Sequence, residues 1–352
     1  MLLAESDLPA APAARLGSTQ VAWSVRCLAV SGLWGGTVAA VDVPLVGDTV
    51  VRFATVEEGA AVLAQRDDYI RNLSPFDRQV RPRTDRDVSE QEFVAFLAGH
   101  ARPWTDAEIA RLTPMLTDLG AKLAPWKLKL PPVIMLVKTS GQEEGGAAYC
   151  RGAAIVLPQT MIDNPRNNFA KILPHEVFHV LSNQNPALRQ ALYATIGFRP
   201  CNEVTLPEPW AARKITNPDA PRNDYYVVAD WQGRPTEWMP VLVSKSPRYD
   251  AARGGSLFAY LDFKLLQLVD DNGAKRAAMV NGAPLLVEPD SVPGYAEQIG
   301  ANTKYIIHPE EVLADNFVFL LDGRIDLPTP RIVEGMGKVL QDATDGNAAA
   351  KP

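Results

Sequence analysis

The sequence predicts an α+β fold with a helical N-terminal region, a mixed core and a β-rich insertion between two helices. Three observations carry that expectation. Before about residue 130, a Ser or Thr followed three residues on by Glu marks three helix starts. From Pro132 the pattern changes to short runs of branched apolar residues bounded by glycine and proline. The 29 prolines in 352 residues fix many loops, which a chiefly helical chain would not tolerate. A hydrophobic content of 47% is enough for a large core, in one big domain or two ordinary ones. The net charge of −6, with no concentrated basic stripe, argues against a nucleic-acid partner. Residues 77–87 mix charge signs and contain proline, as a solvated connector does.

Residues 1–40 read as an export leader, which implies an extracytoplasmic protein, periplasmic or secreted. Arg15 and Arg26 precede the apolar run 27–40, and Val38, Ala39 and Ala40 offer small side chains at a cleavage site. A disordered Ala/Pro-rich leader is the other reading. The run is too short and glycine-rich to favour a spanning helix, and no later segment reaches the roughly 18 apolar residues of a membrane crossing. Cleavage would leave Cys150 and Cys201, an even pair that fits either one disulfide bracing the active-site wall or two buried thiols. No two cysteines have metal-site spacing.

Between 41 and 130, the pairs Thr55 and Glu58, Ser89 and Glu92, and Thr105 and Glu108 each precede apolar residues at helical spacing. This region reads as mostly helical, either a subdomain over the catalytic part or a propeptide. A core segment follows over 131–200. It holds a buried strand at 133–138, a glycine-rich loop at 141–146 and a second strand at 153–157, closed by Pro158 as an edge strand could be. The insertion, 201–303, contains a hairpin of 225–230 with 237–244 around Trp231-Gln-Gly-Arg234, then further strands over 257–269 and 284–288. Residues 304–352 supply a helix from Pro309 toward Leu321 and a short helix near 331–340.

The chemistry is concentrated in His175-Glu176-Val177-Phe178-His179. On a helix, histidines four apart lie on one face, where a single metal ion reaches both imidazoles. Zinc held by two neutral histidines and one more protein ligand keeps a fourth position for water and acidifies it, and Glu176 is beside it to take the proton. Leu173, Val177, Val180 and Leu181 mark an apolar stripe away from the histidines. Pro174 either begins this helix at its first position or kinks a longer one, and turn chemistry at 183–186 ends it.

The best third ligand is in His308-Pro-Glu-Glu311-Val-Leu-Ala-Asp315. Pro309 suits a first helical position, and the acidic pair suits the positive end of the helix dipole. Glu311 and Asp315 then share a face. Glu311 can bind the metal while Asp315 accepts the free ring N–H of a ligand histidine. Glu310 and Glu311 could also form only a solvated first turn. His308 is a rival third ligand, or a group that stabilises the tetrahedral intermediate. Of the phenols Tyr225, Tyr226, Tyr260 and Tyr305, Tyr305 is the best placed for the same oxyanion role, because it leads into this helix. His100 has no assigned role.

Together the two motifs resemble those of the gluzincin metallopeptidases, which join His-Glu-x-x-His to a second helix carrying Glu-x-x-Ala-Asp. The resemblance implies a zincin-like metallopeptidase core binding one Zn²⁺ per chain. It implies His175, His179 and Glu311 as ligands, Glu176 as general base and Asp315 as the partner behind a ligand. In this group the strand before the metal helix lines the cleft, which implies Ala153, Ala154, Ile155 and Val156 as the edge that pairs with extended peptide. The expected activity is zinc-dependent endopeptidase hydrolysis of a peptide or protein. The alternative is a secreted binding protein on the same scaffold, non-catalytic or latent, that retains zinc.

Overall fold

In the computed structural model, which describes residues 40–344, helices and strands are mixed along the chain and two sheets share one core. The expected leader lies outside the described residues except for its last position, and so does Cys27. The chain begins with β1 (Val41–Val46), β2 (Thr49–Phe53), α1 (Val56–Leu63), α2 (Asp68–Arg71), α3 (Pro75–Val80) and α4 (Glu90–Ala98). β3 (Ala101–Arg102), α5 (Asp106–Leu123), β4 (Val133–Thr139), β5 (Tyr149–Arg151) and β6 (Ala154–Pro158) follow. Then come α6 (Gln159–Asp163), α7 (Phe169–Gln184), α8 (Pro186–Ala194) and β7 (Phe198–Pro200). The insertion adds β8 (Tyr225–Trp231), β9 (Arg234–Ser244), α9 (Leu257–Tyr260), β10 (Leu261–Asp271), β11 (Ala274–Ala277), β12 (Met279–Val280), β13 (Ala283–Pro284) and β14 (Leu286–Val287). α10 (Pro293–Ile299), α11 (Pro309–Leu321) and α12 (Pro330–Thr344) complete the described chain.

The first sheet has the order β1-β2-β4-β6-β5, with β3 paired to the end of β4. β2, β4 and β6 run parallel, while β1 and β5 are antiparallel to their neighbours. Alternate side chains of β6 enter opposite cores: Ile155 and Leu157 face α5 and α7, whereas Ala154 and Val156 face α1 and α4. Burial on both faces explains the unbroken apolar runs of β4 and β6.

One expectation needs an addition and another a correction. The segment 41–130, expected to be mostly helical, holds α1 to α5 but also β1 and β2, a hairpin whose second strand pairs in parallel with β4. Its short alternating runs carry little sequence signal, yet Val43, Val51 and Phe53 are buried in the same core as α7. Helices α1 to α5 are therefore a crossover between neighbouring strands. Three of them start at the capping boxes read from sequence. Second, Ala153, Ala154, Ile155 and Val156 do not form the sheet edge. β6 lies between β4 and β5, and the edge is the three-residue β5. Pro158 sits at the last rung of β6, opposite Thr139, where a missing N–H costs as little as it would at an edge.

α7 is one helix with Pro174 inside it, the longer of the two versions anticipated. It is buried from Ile172 to Ser182 and packs against α5, β5, β6 and α11. Phe178 meets Phe317 of α11 with ring centroids 5.5 Å apart, which locks the two helices together. On the far side of α5, Gly120 touches β1 so closely that a Cβ there would lie 2.0 Å from the Leu45 carbonyl oxygen.

The second sheet, β11-β10-β9-β8-β7 with β14 added beside β10, is antiparallel throughout and contains the expected hairpin at residues 231–234. The long connection from β7 to β8 returns to the helical crossover, where Ser74 Oγ at the start of α3 donates to the Lys214 carbonyl at 2.6 Å. Cys150 and Cys201 are free thiols, so the disulfide reading does not hold. Cys150 is buried in the main core, whereas Cys201 packs against a separate cluster on the second sheet. No helix among the described residues is long and apolar enough to cross a membrane.

Candidate metal centre

His175 and His179 face α11 from successive turns of α7, with ring centroids 4.8 Å apart. Glu311 enters from the first turn of α11, and its Oε2 lies 3.4 Å from His175 Nε2 and 3.6 Å from His179 Nε2. Ligand atoms of a tetrahedral zinc with bonds of about 2.0–2.1 Å are roughly 3.3 Å apart, so the spacing fits such an ion. All three residues are buried, and their ligand atoms lie within 4.8 Å of one another. Both Nε2 atoms are buried with no hydrogen-bond partner, as is Glu176 Oε2. Orphaned nitrogens of this kind are costly unless something binds them, and two aimed at one carboxylate oxygen make a donor set for a divalent cation.

The other nitrogen of each ring is held from behind. His175 Nδ1 is 3.1 Å from Asp315 Oδ1, and Asp315 also accepts from the Thr303 hydroxyl. His179 Nδ1 is 2.9 Å from Glu310 Oε1. The second oxygen of Glu310 accepts from Ser182 Oγ at 2.8 Å and from the Tyr193 hydroxyl. In the neutral imidazole each carboxylate favours the Nδ1–H tautomer, which leaves Nε2 as a lone pair for a metal. Sequence reasoning missed Glu310 in this role. Its position next to Glu311 at a helix start was the available signal, but only packing shows that it turns toward His179.

The local electrostatics follow from buried carboxylates around two imidazoles. Burial opposes charge on His179, but Asp219, Glu311 and Glu310 outweigh it and push its pKa up to about 10 in the metal-free chain. His175 is raised for the same reason, with Asp315 and Glu311 overcoming burial. Burial would raise Glu311, yet the two histidines help hold it well below the usual carboxylate range.

The remaining site residues fall into place around this cluster. The Tyr305 ring stacks on His175 at 6.3 Å between centroids, and burial raises its pKa well above the ordinary phenol, so it is a neutral donor. His308 is not in the ligand cluster. It is the N-cap of α11, its Nδ1 accepts the Glu310 N–H at 3.1 Å, and burial pushes its pKa down to about 4. His100 is distant in role as well as sequence, bonded through Nδ1 to Ser140 Oγ at 2.6 Å.

Two residues without any sequence signal complete the cluster, both from the β7–β8 connection. Asn217 Nδ2 donates to Glu311 Oε1 at 2.6 Å, which orients that carboxylate. Asp219 has an oxygen within 4.8 Å of ligand atoms of both His179 and Glu176, and burial pushes its pKa up to about 8. Asn217 is placed by its neighbour Thr216, which is fixed in a buried ion network. Arg81 pairs with Asp77 at 2.5 Å and with Glu144 at 2.7 Å, and it donates to the Thr216 carbonyl at 2.8 Å. Asp77 in turn accepts from the Thr216 hydroxyl at 2.8 Å. Losing one member of so buried a network leaves a charge uncompensated, at a cost of about 3–5 kcal/mol. No family model matches this chain, and no curated protein or solved structure does either.

Proposed function

We propose that this chain is a zinc-dependent peptide-bond hydrolase on a zincin-like core, of the gluzincin type its two motifs resemble. The observation that carries the reading is the pair of orphaned Nε2 atoms facing one Glu311 oxygen at zinc-ligand spacing, with Glu176 beside them. Zinc held by His175, His179 and Glu311 would supply Lewis acidity and bring the pKa of water to about 7.

The chain's own residues do the rest. Glu176 would accept a proton from the attacking water and return it to the leaving amine, since it has a buried Oε2 with no hydrogen-bond partner and lies beside His179. Tyr305, kept neutral by burial and stacked on His175, would donate a hydrogen bond to the oxyanion. Asp315 and Glu310 hold the ligand tautomers. β5, the edge of the first sheet, offers backbone groups to an extended peptide, which binds with little regard to sequence.

Zinc analysis of wild type and Glu311→Ala together tests the reading. About one zinc per wild-type chain and a clear loss in the variant are expected; no zinc in either sample refutes it. The second reading, a latent protein on the same scaffold, is favoured by one observation: Asp219 and its neighbours lie directly beside the ligands.

A further inference from the structure

Resting on the metal-centre reading, we infer that Asn217-Pro218-Asp219 is a built-in, displaceable plug lying in the substrate's lane, with the Asp219 carboxylate held beside Glu176 and His179 where water and substrate must enter. Three independent observations converge on this segment. First, it spans the site from one wall to the other: Asn217 bonds Glu311 on α11 at 2.6 Å, and Asp219 Oδ1 accepts the Cys150 N–H of β5 at 2.6 Å. That N–H belongs to the sheet edge, where an extended peptide would place a carbonyl oxygen. Asp219 therefore fills a substrate hydrogen-bond position with a side chain.

Second, Asp219 stands with Glu176 and His179 as a second group of potential ligands that shares His179 with the first. A carboxylate placed there fills the space between the general base and the ligand cluster that hydrolysis must leave open to water. Third, the segment divides a larger groove. A polar cavity of about 370 Å³, lined by Arg151, Arg189 and Tyr193, lies on one side. A narrow cleft of about 30 Å³, lined by Tyr149, Phe258 and Tyr305, lies on the other. Pro218 and Asp219 form part of both walls. Moving them joins the two spaces along β5.

The attachments of the segment suit a hinged plug. Its entry is fixed by Thr216 in the Arg81 network and by the Ile215 N–H bonded to the Leu242 carbonyl at 2.8 Å. Its exit is anchored four residues on, where the Val204 and Cys201 N–H groups donate to the Asn223 and Asp224 carbonyls at 2.8 Å, and between these anchors Lys214 Nζ holds the Pro221 carbonyl at 3.0 Å. Opening therefore moves residues 218–222 between two fixed ends and breaks chiefly the Asp219–Cys150 and Lys214–Pro221 hydrogen bonds.

Acetohydroxamate titrated into the cobalt-substituted full chain, followed by visible absorption, tests the plug without relying on turnover. In wild type the probe must displace Asp219, so its apparent affinity is reduced by the fraction of chains in the open form. Asp219→Asn keeps an acceptor for the Cys150 N–H and removes the charge, so it preserves the fold. It is expected to retain one metal and bind the probe at least about tenfold more tightly, an open population of a tenth or less in wild type. Asp219→Ala should do the same and also speed hydrogen exchange at the Cys150 amide. Equal probe affinity in wild type and both variants, with metal bound in all three, overturns the plug and leaves the metal centre standing. Failure of wild type to take up cobalt or zinc overturns both.

Discussion

Replacing Glu310 by glutamine asks how much of the centre's strength comes from behind the ligands. In wild type, Glu310 Oε1 is 2.9 Å from His179 Nδ1, and Oε2 accepts from Ser182 at 2.8 Å and from Tyr193. Glutamine offers one acceptor oxygen and one NH₂ group in the same volume. With its oxygen toward His179, the NH₂ meets two hydroxyls, and both can rotate to accept. With its NH₂ toward His179, the ring proton is driven to Nε2, where the lone pair needed for ligation is lost. The first arrangement wins and keeps the geometry, but it removes the negative charge that would make His179 a better ligand in the proposed zinc site. Losses of this kind cost about 10- to 100-fold in metal affinity, or roughly 1.4–2.8 kcal/mol. Glu310→Ala differs in kind, because three buried donors lose their acceptor at about 1–3 kcal/mol each, so stability should fall along with affinity. Competition for zinc against a chelator, paired with denaturant unfolding of the metal-free chains, separates the two effects. Wild-type zinc affinity in folded Glu310→Gln would refute the reasoning.

Three further outcomes are expected. Glu176→Gln should keep its zinc and lose about 10²- to 10⁴-fold in the digestion of a broad peptide library; undiminished cleavage removes Glu176 as the base. Phe178→Ala, which empties the contact with Phe317, should destabilise the fold by about 3–5 kcal/mol and weaken zinc binding, since α7 and α11 carry the ligands separately. Zinc affinity unchanged in that variant would show that the helices are held by other contacts. The metal-free chain should also depend on pH in a defined direction. His179 is raised to about 10 when folded, against roughly 6.5 when unfolded, so its stabilising contribution is complete below about pH 6.5 and lost as pH rises through about 10. The denaturation midpoint should fall across that window without metal and fall less with zinc, which requires neutral imidazole. A flat metal-free profile counts against the carboxylate cage around His179.

Local rules accounted for the elements whose causes are local. The capping boxes at Thr55, Ser89 and Thr105, the hairpin around residues 231–234 and the Pro309 helix start all depend on residues within one or two turns of each other. The β1–β2 hairpin escaped because two short strands are stable only against β4, some 80 residues later in the chain. Pro158 misled because a proline is tolerated at the end of a strand for the same reason as at an edge, and only pairing tells the two apart.

For the site, the chain alone determined which residues could ligate: histidines four apart on one helix, a glutamate and an aspartate four apart on another, and a spare carboxylate for the proton. Helical periodicity fixes those faces within each helix. Tertiary structure decided which face meets which. It turned Glu310 toward His179, assigned His308 to a helix cap, and brought Asn217 and Asp219 from a distant connection to the same few ångströms. The physical reason is that hydrogen bonding between distant segments depends on how the core packs, and no short-range pattern of residues encodes that.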